Sequence, residues 1–259
     1  MLKYLLLASI MNLQIALGQE AGGQELDGQK KPEIKQLSDH EFQIGKIKLD
    51  QKKREISFGA GVNMTEGLLE YLLVTTKSNK VHETLFLSDI SPLNLNIAFK
   101  LLGITESEEL FEIVDDDYRP TGRFPQVDPK VSAAAKVDIT VEWGEGDEKK
   151  SFPVNELIQH IEWPENNTQQ VQPQDELELD DIKLTVMEKG PWLSTGSYMH
   201  EGKYKAEVAG IMIAIYTAQP AIVNFPGKDR LSGDVWIPNK EVLPAKETIV
   251  KIIIKPHQS

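Results

Sequence analysis

The sequence predicts an α+β fold made mainly of antiparallel β-sheet, with one well-defined helix at about residues 91–102 and long surface loops. Three observations lead there. From Phe42 onward the apolar residues alternate with polar ones, or run in short β-branched blocks bounded by turn residues. One segment alone carries the full punctuation of a helix. Nothing within residues 42–255 has the composition of a linker, so residues 41–259 read as a single folded unit.

Taken in order, the chain begins with an export signal over residues 1–18. Met1-Leu2-Lys3 is a short positive start, "YLLLASIMNLQIAL" is the apolar region, and Ala16-Leu17-Gly18 fits a small-x-small cleavage site before Gln19. An amphipathic terminal helix or a retained anchor is the other reading of the same residues. No cysteine follows the apolar run, which excludes a lipoprotein anchor. Residues 19–40 are Gly/Gln-rich and polar, a flexible tether. "FQIGKIKLD" and "REISFGAGVN" are expected to form a hairpin across Asp50–Lys53. A second hairpin is expected from "GLLEYLLVTT" and "KVHETLFL" across Lys77-Ser78-Asn79.

The helix follows. Ser91 caps it, Pro92 suits the first turn, Leu93, Ile97, Ala98 and Leu101 share a face, and Gly103 ends it. Residues 105–131, with an acidic run at Asp115-Asp116-Asp117, read as a long surface excursion. "AKVDITVEW" is a strand that turns through "GEGDEKK" into "SFPV", and "VNELIQHI" is a short helix at best. Residues 164–181 read as an exposed loop. "DIKLTVM", "AGIMIAIYT", "AIVNF", "GDVWI" and "ETIVKIIIKP" then read as strands. The run from Ala209 to Val223 is broken by Gln219-Pro220 and is too short to cross a bilayer, so it is a core strand pair rather than a transmembrane segment.

Composition removes several chemistries. The net charge is −12, from 40 acidic against 28 basic residues, and such a surface repels phosphate backbones; nucleic acid is not an expected partner. With no cysteine there is no thiol nucleophile, no cysteine-ligated zinc and no iron–sulfur cluster, and an exported chain without disulfides must stand on its core. No Gly-x-Ser-x-Gly elbow, His-Glu-x-x-His helix, phosphate loop or dinucleotide fingerprint is present. His-Glu dipeptides at His40, His82 and His200 are not chelates, because neighbours on a strand face opposite ways. The acidic triplet lacks the spaced oxygens of a calcium loop and reads as a solvated run. "SDISP" could offer helix amides to an anion, but Asp89 stands where it would repel one, and capping by Ser91 is preferred.

The second hairpin holds the polar residues of most interest. If Val74 faces Val81, then Leu72 faces Glu83 and Glu70 faces Leu85, which puts two carboxylates on the more apolar face and His82 on the other. A carboxylate there is costly unless paired. Two readings stay open: a structural ion pair with Lys or Arg, or a metal or polar-ligand site.

The stretch "GLLEYLLVTTKSNKVHETLFLSDISPLNLNIAFKLLGI" resembles the core motif of the bacterial YdjY-domain family. The resemblance continues through "VDITVEW", "PWLSTGSYM", "YKAEVAGIMIAIYTAQPAIVN" and "DVWIPNKEVLPAKETIVKIIIKP". It implies a bacterial periplasmic or secreted protein and transfers no substrate. Relatives that carry iron–sulfur segments differ from this cysteine-free chain, so no electron-transfer role is implied. The family's recurrent positions match at Glu70, His82, Glu83, Thr195, Gly196, Ser197, Asp234, Trp236, Pro238 and Asn239, with Thr84 where relatives usually have Ser. Of these, Glu70, His82, Glu83, Thr195, Ser197, Asp234, Trp236 and Asn239 are the candidate binding residues. No catalytic residue, cofactor or metal is assigned. The expectation is a non-catalytic binding or assembly module of the cell envelope, with an envelope protein or a small ligand as partner. The alternative is a metal-dependent or carboxylate-based hydrolase using Glu70, Glu83 and His82.

Overall fold

The computed structural model describes residues 33–163 and 182–258. The expected signal at 1–18, most of the tether and the loop at 164–181 lie outside them. Residues 34–36, expected within the tether, form a strand.

The first half contains strands β1 (Ile34–Gln36), β2 (Glu41–Ile44), β3 (Ile47–Asp50), β4 (Glu55–Val62), β5 (Tyr71–Thr75) and β6 (Thr84–Ser88). Helices α1 (Pro92–Leu101) and α2 (Pro129–Ala135) follow. Then come β7 (Lys136–Trp143), β8 (Lys150–Pro153), β9 (Ile158–Glu162), β10 (Lys183–Val186), β11 (Trp192–Ser194), β12 (Met199–His200) and β13 (Lys203–Tyr204). Helix α3 (Lys205–Ala209) leads into β14 (Ile211–Ala214), β15 (Val223–Asn224), β16 (Trp236–Pro238) and β17 (Ile249–Pro256).

The β-rich character with few helices is as expected, but the sheet is not open. β4 pairs with both β17 and β6, so the path β4-β17-β7-β11-β15-β14-β5-β6 returns on itself as a barrel of eight strands. At that number side chains alone can fill the interior. They do so here: Phe58, Leu73, Phe86, Val141, Trp192, Ile213 and Ile252 belong to one buried cluster. β1, β2 and β3 extend the sheet beyond β4, and β8 beyond β7. A smaller sheet runs β10-β9-β16.

Several expectations change. "FQIGKIKLD" is not one strand: Gly45, at φ +57°, turns it into β2 and β3. "VNELIQHI" is a 3-10 turn at Val154–Leu157 followed by β9. Two further helices, α2 and α3, join the expected one. The second hairpin is not a hairpin. β5 and β6 are parallel, with Tyr71 opposite Thr84 and Leu73 opposite Phe86. A turn at Thr75–Ser78 sends the chain back over the outer face of β5, where Val81 packs on the Tyr71, Val74, Ile211, Ala214 and Ala221 cluster. A 3-10 turn at Val81–Glu83 then starts β6 in the same direction as β5. Apolar cover on both faces of β5 drives this: a strand buried on both sides favours a neighbour reached by a crossover.

The expected helix forms over Pro92–Leu101. The Ser91 hydroxyl accepts from the Asn94 N–H at 3.3 Å, and Gly103 adopts φ +72° just beyond its end. Its N-terminus does receive an anion, but one of its own chain. Glu207 on α3 accepts from the Ser91 hydroxyl at 2.8 Å and the Leu93 N–H at 2.9 Å. Asp89 turns aside to the Thr76 hydroxyl at 2.7 Å.

Candidate functional site

The crossover between β5 and β6 decides where the first three candidates stand. The Glu70 N–H donates to the Glu83 carbonyl at 3.0 Å, and the Glu70 carbonyl accepts from Ile215 and Tyr216, each at 2.9 Å. Glu83 is therefore beside Glu70, not beside Leu72, Val81 and Leu85 on a strand face. The register error is corrected by the parallel pairing, yet the two carboxylates still meet. Lys80 lies between them, its Nζ 2.6 Å from Glu83 Oε1 and 3.8 Å from Glu70 Oε2. The same ammonium sits 5.4 Å from the centre of the Tyr71 ring.

The electrostatics follow from this packing. The hydrogen bond to Glu83 raises the Lys80 ammonium above the ordinary lysine value. Burial, first among several causes, raises the Tyr71 phenol. His82 stays outside: its side chain is 71% exposed and its Nε2 is 3.9 Å from Glu83 Oε1. Of the two readings left open by the sequence, the geometry is that of an ion pair with a lysine. Among the described residues no three His, Cys, Asp or Glu side chains come together as metal ligands would.

Thr195 and Ser197 stand elsewhere, where the chain leaves β11. The Thr195 N–H and Gly196 N–H both donate to the Ile222 carbonyl, at 2.8 and 3.0 Å. The buried Thr195 hydroxyl donates to the Ala221 carbonyl at 3.1 Å and accepts from Asn224 Nδ2 at 2.8 Å. Asn224 also accepts from the Ala218 N–H at 2.8 Å, so Thr195 and Asn224 brace the Gln219-Pro220 turn together. Gly196 has φ +74°, and a Cβ there would overlap the Glu106 carboxyl. The Ser197 hydroxyl accepts from the Ala206 N–H at 3.1 Å and so caps α3 from nine residues earlier in the chain. Tyr204 seals the turn by donating to the Gly196 carbonyl at 2.7 Å, and burial raises its phenol far above the usual range.

The last three candidates split again. Trp236 is core: it meets the edge of His160 at 4.8 Å and Phe225 at 5.3 Å, and its Nε1–H donates to the Asp229 carbonyl at 3.3 Å. Asn239 is buried and donates through Nδ2 to the Glu156 carbonyl at 2.8 Å, holding β16 to the turn before β9. Asp234 is exposed. Its neighbour Gly233 closely approaches Glu70, where a Cβ would lie 3.0 Å from Oε1.

Sequence reasoning missed Asn224, and it missed the pair His160 and Asp229, whose Nε2 and Oδ2 are 2.9 Å apart. A carboxylate accepts only, so Nε2 carries the donated proton. An amide inside the apolar run "AIVNF" was a legible sign for the first. No local pattern joins residues as far apart in sequence as 160 and 229.

One cleft of about 360 Å³ opens at this side of the barrel. Thr195, Ser197 and Tyr198 form one wall, Phe111 and Gln219 contribute to others, and Glu108 and Glu112 supply carboxylates. Glu112 also accepts from the Gly122 N–H, which folds residues 111–125 against the opening. Of the eight candidates, Thr195 and Ser197 line the cleft. Glu70, His82, Glu83, Asp234, Trp236 and Asn239 do not. The volume is in the range of small-molecule sites, and rings beside a few polar groups are their usual lining.

No helix among the described residues is long and apolar enough to cross a membrane. Comparison with curated proteins gives no match, and comparison with solved structures gives none either. A family model, the YdjY domain, does match residues 47–191, a span that includes the crossover, the Lys80 cluster and four of the eight barrel strands, and the chain belongs to that family.

Proposed function

We propose that the protein is an exported bacterial binding module whose cleft at Thr195–Tyr198 holds a small polar ligand without transforming it. One observation carries the reading. Ser197 lines the cleft, and its hydroxyl accepts from the Ala206 N–H as a helix cap, a bond that gives it a part in shaping the wall. Phe111 and Tyr198 offer ring faces, while Gln219, Glu108 and Glu112 offer polar groups. The hydrolase reading finds no comparable support, because Glu70 and Glu83 share Lys80 and His82 points to solvent. Export remains part of the proposal and rests on the sequence of residues 1–18.

A ligand-observed NMR screen of small polar compounds against the full chain tests the binding reading. Hits are expected whose signals are lost with Phe111→Ala and with Tyr198→Ala. Hits indifferent to both substitutions would sink it. Mass spectrometry of material from the native envelope tests export, with a chain starting at Gln19 as the expected result.

A further inference from the structure

The cleft beside Thr195–Tyr198 carries charge of one sign. Glu108 and Glu112 line it, and no lysine, arginine or histidine does. A turn closed by the Phe111 N–H on the Glu108 carbonyl, at 3.0 Å, brings both glutamates and the Phe111 ring to the same recess. Glu112 gives Oε1 to the Gly122 N–H. The Glu108 carboxylate makes no hydrogen bond or ion pair with a described residue. Basic side chains nearby in sequence are engaged elsewhere, Lys100 with Glu106 at 3.4 Å and Arg119 with Asp117 at 3.1 Å.

Two like charges in one recess of about 360 Å³ repel each other, and a cation between them relieves the repulsion. The net charge of −12 on the whole chain adds to the attraction. A metal ion is the poorer occupant. Calcium takes about six to eight oxygen ligands, and among the described residues no three carboxylate or imidazole side chains converge. Phe111, Tyr198, Ile113 and Pro125 give the same cleft apolar surface for alkyl carbons, and the two rings can also face an ammonium. Arg230 and Thr217, joined by the Thr217 N–H on the Arg230 carbonyl at 2.7 Å, stand outside the lining; their unpartnered Nε and Oγ1 are buried and take no part.

We propose that the cleft receives an alkylammonium group, its nitrogen held by the carboxylates of Glu108 and Glu112 and its carbon chain lying along Phe111 and Tyr198. This rests on the reading of the cleft as a binding site and names its ligand class. The group is common to a free amine and to a lysine side chain, and the probes below tell the two apart.

The test uses the full chain, labelled with nitrogen-15, at physiological ionic strength, and four probes: n-butylamine, n-butanol, Nα-acetyl-lysine methylamide and calcium chloride. Butylamine should shift the amide signals of Phe111 and Tyr198. Butanol, of the same shape without the charge, should bind about tenfold more weakly. Tighter binding of the lysine amide than of butylamine supports the proposal with a peptide as the source, and weaker binding supports it with a free amine. Glu108→Gln should abolish the preference for butylamine over butanol. Asp116→Asn, which removes the same charge from the exposed acidic run outside the cleft, should keep it. Phe111→Leu, which keeps an apolar wall without a ring face, should weaken butylamine and spare butanol. Unchanged thermal midpoints identify the folded variants. Equal binding of amine and alcohol, a preference that survives Glu108→Gln or is lost as fully with Asp116→Asn, or displacement of butylamine by calcium would each overturn the proposal. Shifts at Phe111 and Tyr198 in those cases leave the cleft reading in place. No shift from any probe overturns the proposal, and the cleft reading falls with it if the wider screen of polar compounds also yields no hit that depends on Phe111 and Tyr198.

Discussion

Lys80 and Arg230 are both half-buried cations resting on aromatic rings, at 5.4 Å from Tyr71 and 5.5 Å from Phe124. Their surroundings differ in one respect. Lys80 has two carboxylates of its own chain within ion-pair distance, while Arg230 has a buried N–H that no described residue accepts. A stacked cation therefore does not announce its role. Counting the acceptors around it does: Lys80 neutralises two carboxylates, while Arg230 leaves a buried N–H unpaired among the described residues.

The largest effect is expected from removing the frame both cations depend on. Ile213 is fully buried in β14, opposite Leu73 of β5, with Lys80 following β5 and Thr217 following β14. Ile213→Asp buries an unpaired charge and should cost about 4 kcal/mol or more in chemical denaturation, losing both regions together. Next comes Lys80→Met, which leaves Glu70 and Glu83 facing each other without a counter-ion. Partial exposure of all three side chains moderates the loss to about 1–3 kcal/mol at neutral pH.

Folding raises both the Lys80 ammonium, chiefly through Glu83, and the Tyr71 phenol, chiefly through burial. As pH climbs past the ordinary values of 10.0 for tyrosine and 10.5 for lysine, the unfolded chain gives up these protons first. Stability present at neutral pH is then lost on the alkaline side. Tyr71→Phe should leave neutral stability nearly unchanged and flatten that alkaline decline, as followed by denaturation at a series of pH values. The smallest effect is expected from Arg230→Gln. With no internal partner to strand, it should alter the unfolding free energy by no more than about 0.5 kcal/mol. A loss comparable to that of Lys80→Met would make Arg230 a structural residue and erase the distinction.

What could be read in advance follows the range of each interaction. Ser91, Pro92 and Gly103 mark a helix through contacts within a few residues, and α1 ends where they indicate. The partner of Glu83 is three residues away, so its pairing with a lysine was legible in kind. The sense of β5 against β6 was not. An alternation of period two is the same whether Val74 meets Val81 across a hairpin or Val74 meets Leu87 in parallel. Barrel closure was equally hidden, because the pairing of Val62 with Phe86 leaves no local trace. Arg230 and Thr217 belong to no motif, and what sets them apart is a missing partner, which only three dimensions can reveal.

The position of β17 governs the order in which this barrel can be assembled. Its residues 249–256 come from the far end of the sequence, yet they are inserted between β4 and β7. Every earlier strand can be present while β4 and β7 each still display a row of unsatisfied backbone groups. The wall closes in one late, long-range event, the kind that slows folding and keeps edges open meanwhile. A chain emerging residue by residue thus keeps this barrel an open ribbon until residues 249–256 arrive to seal its interior.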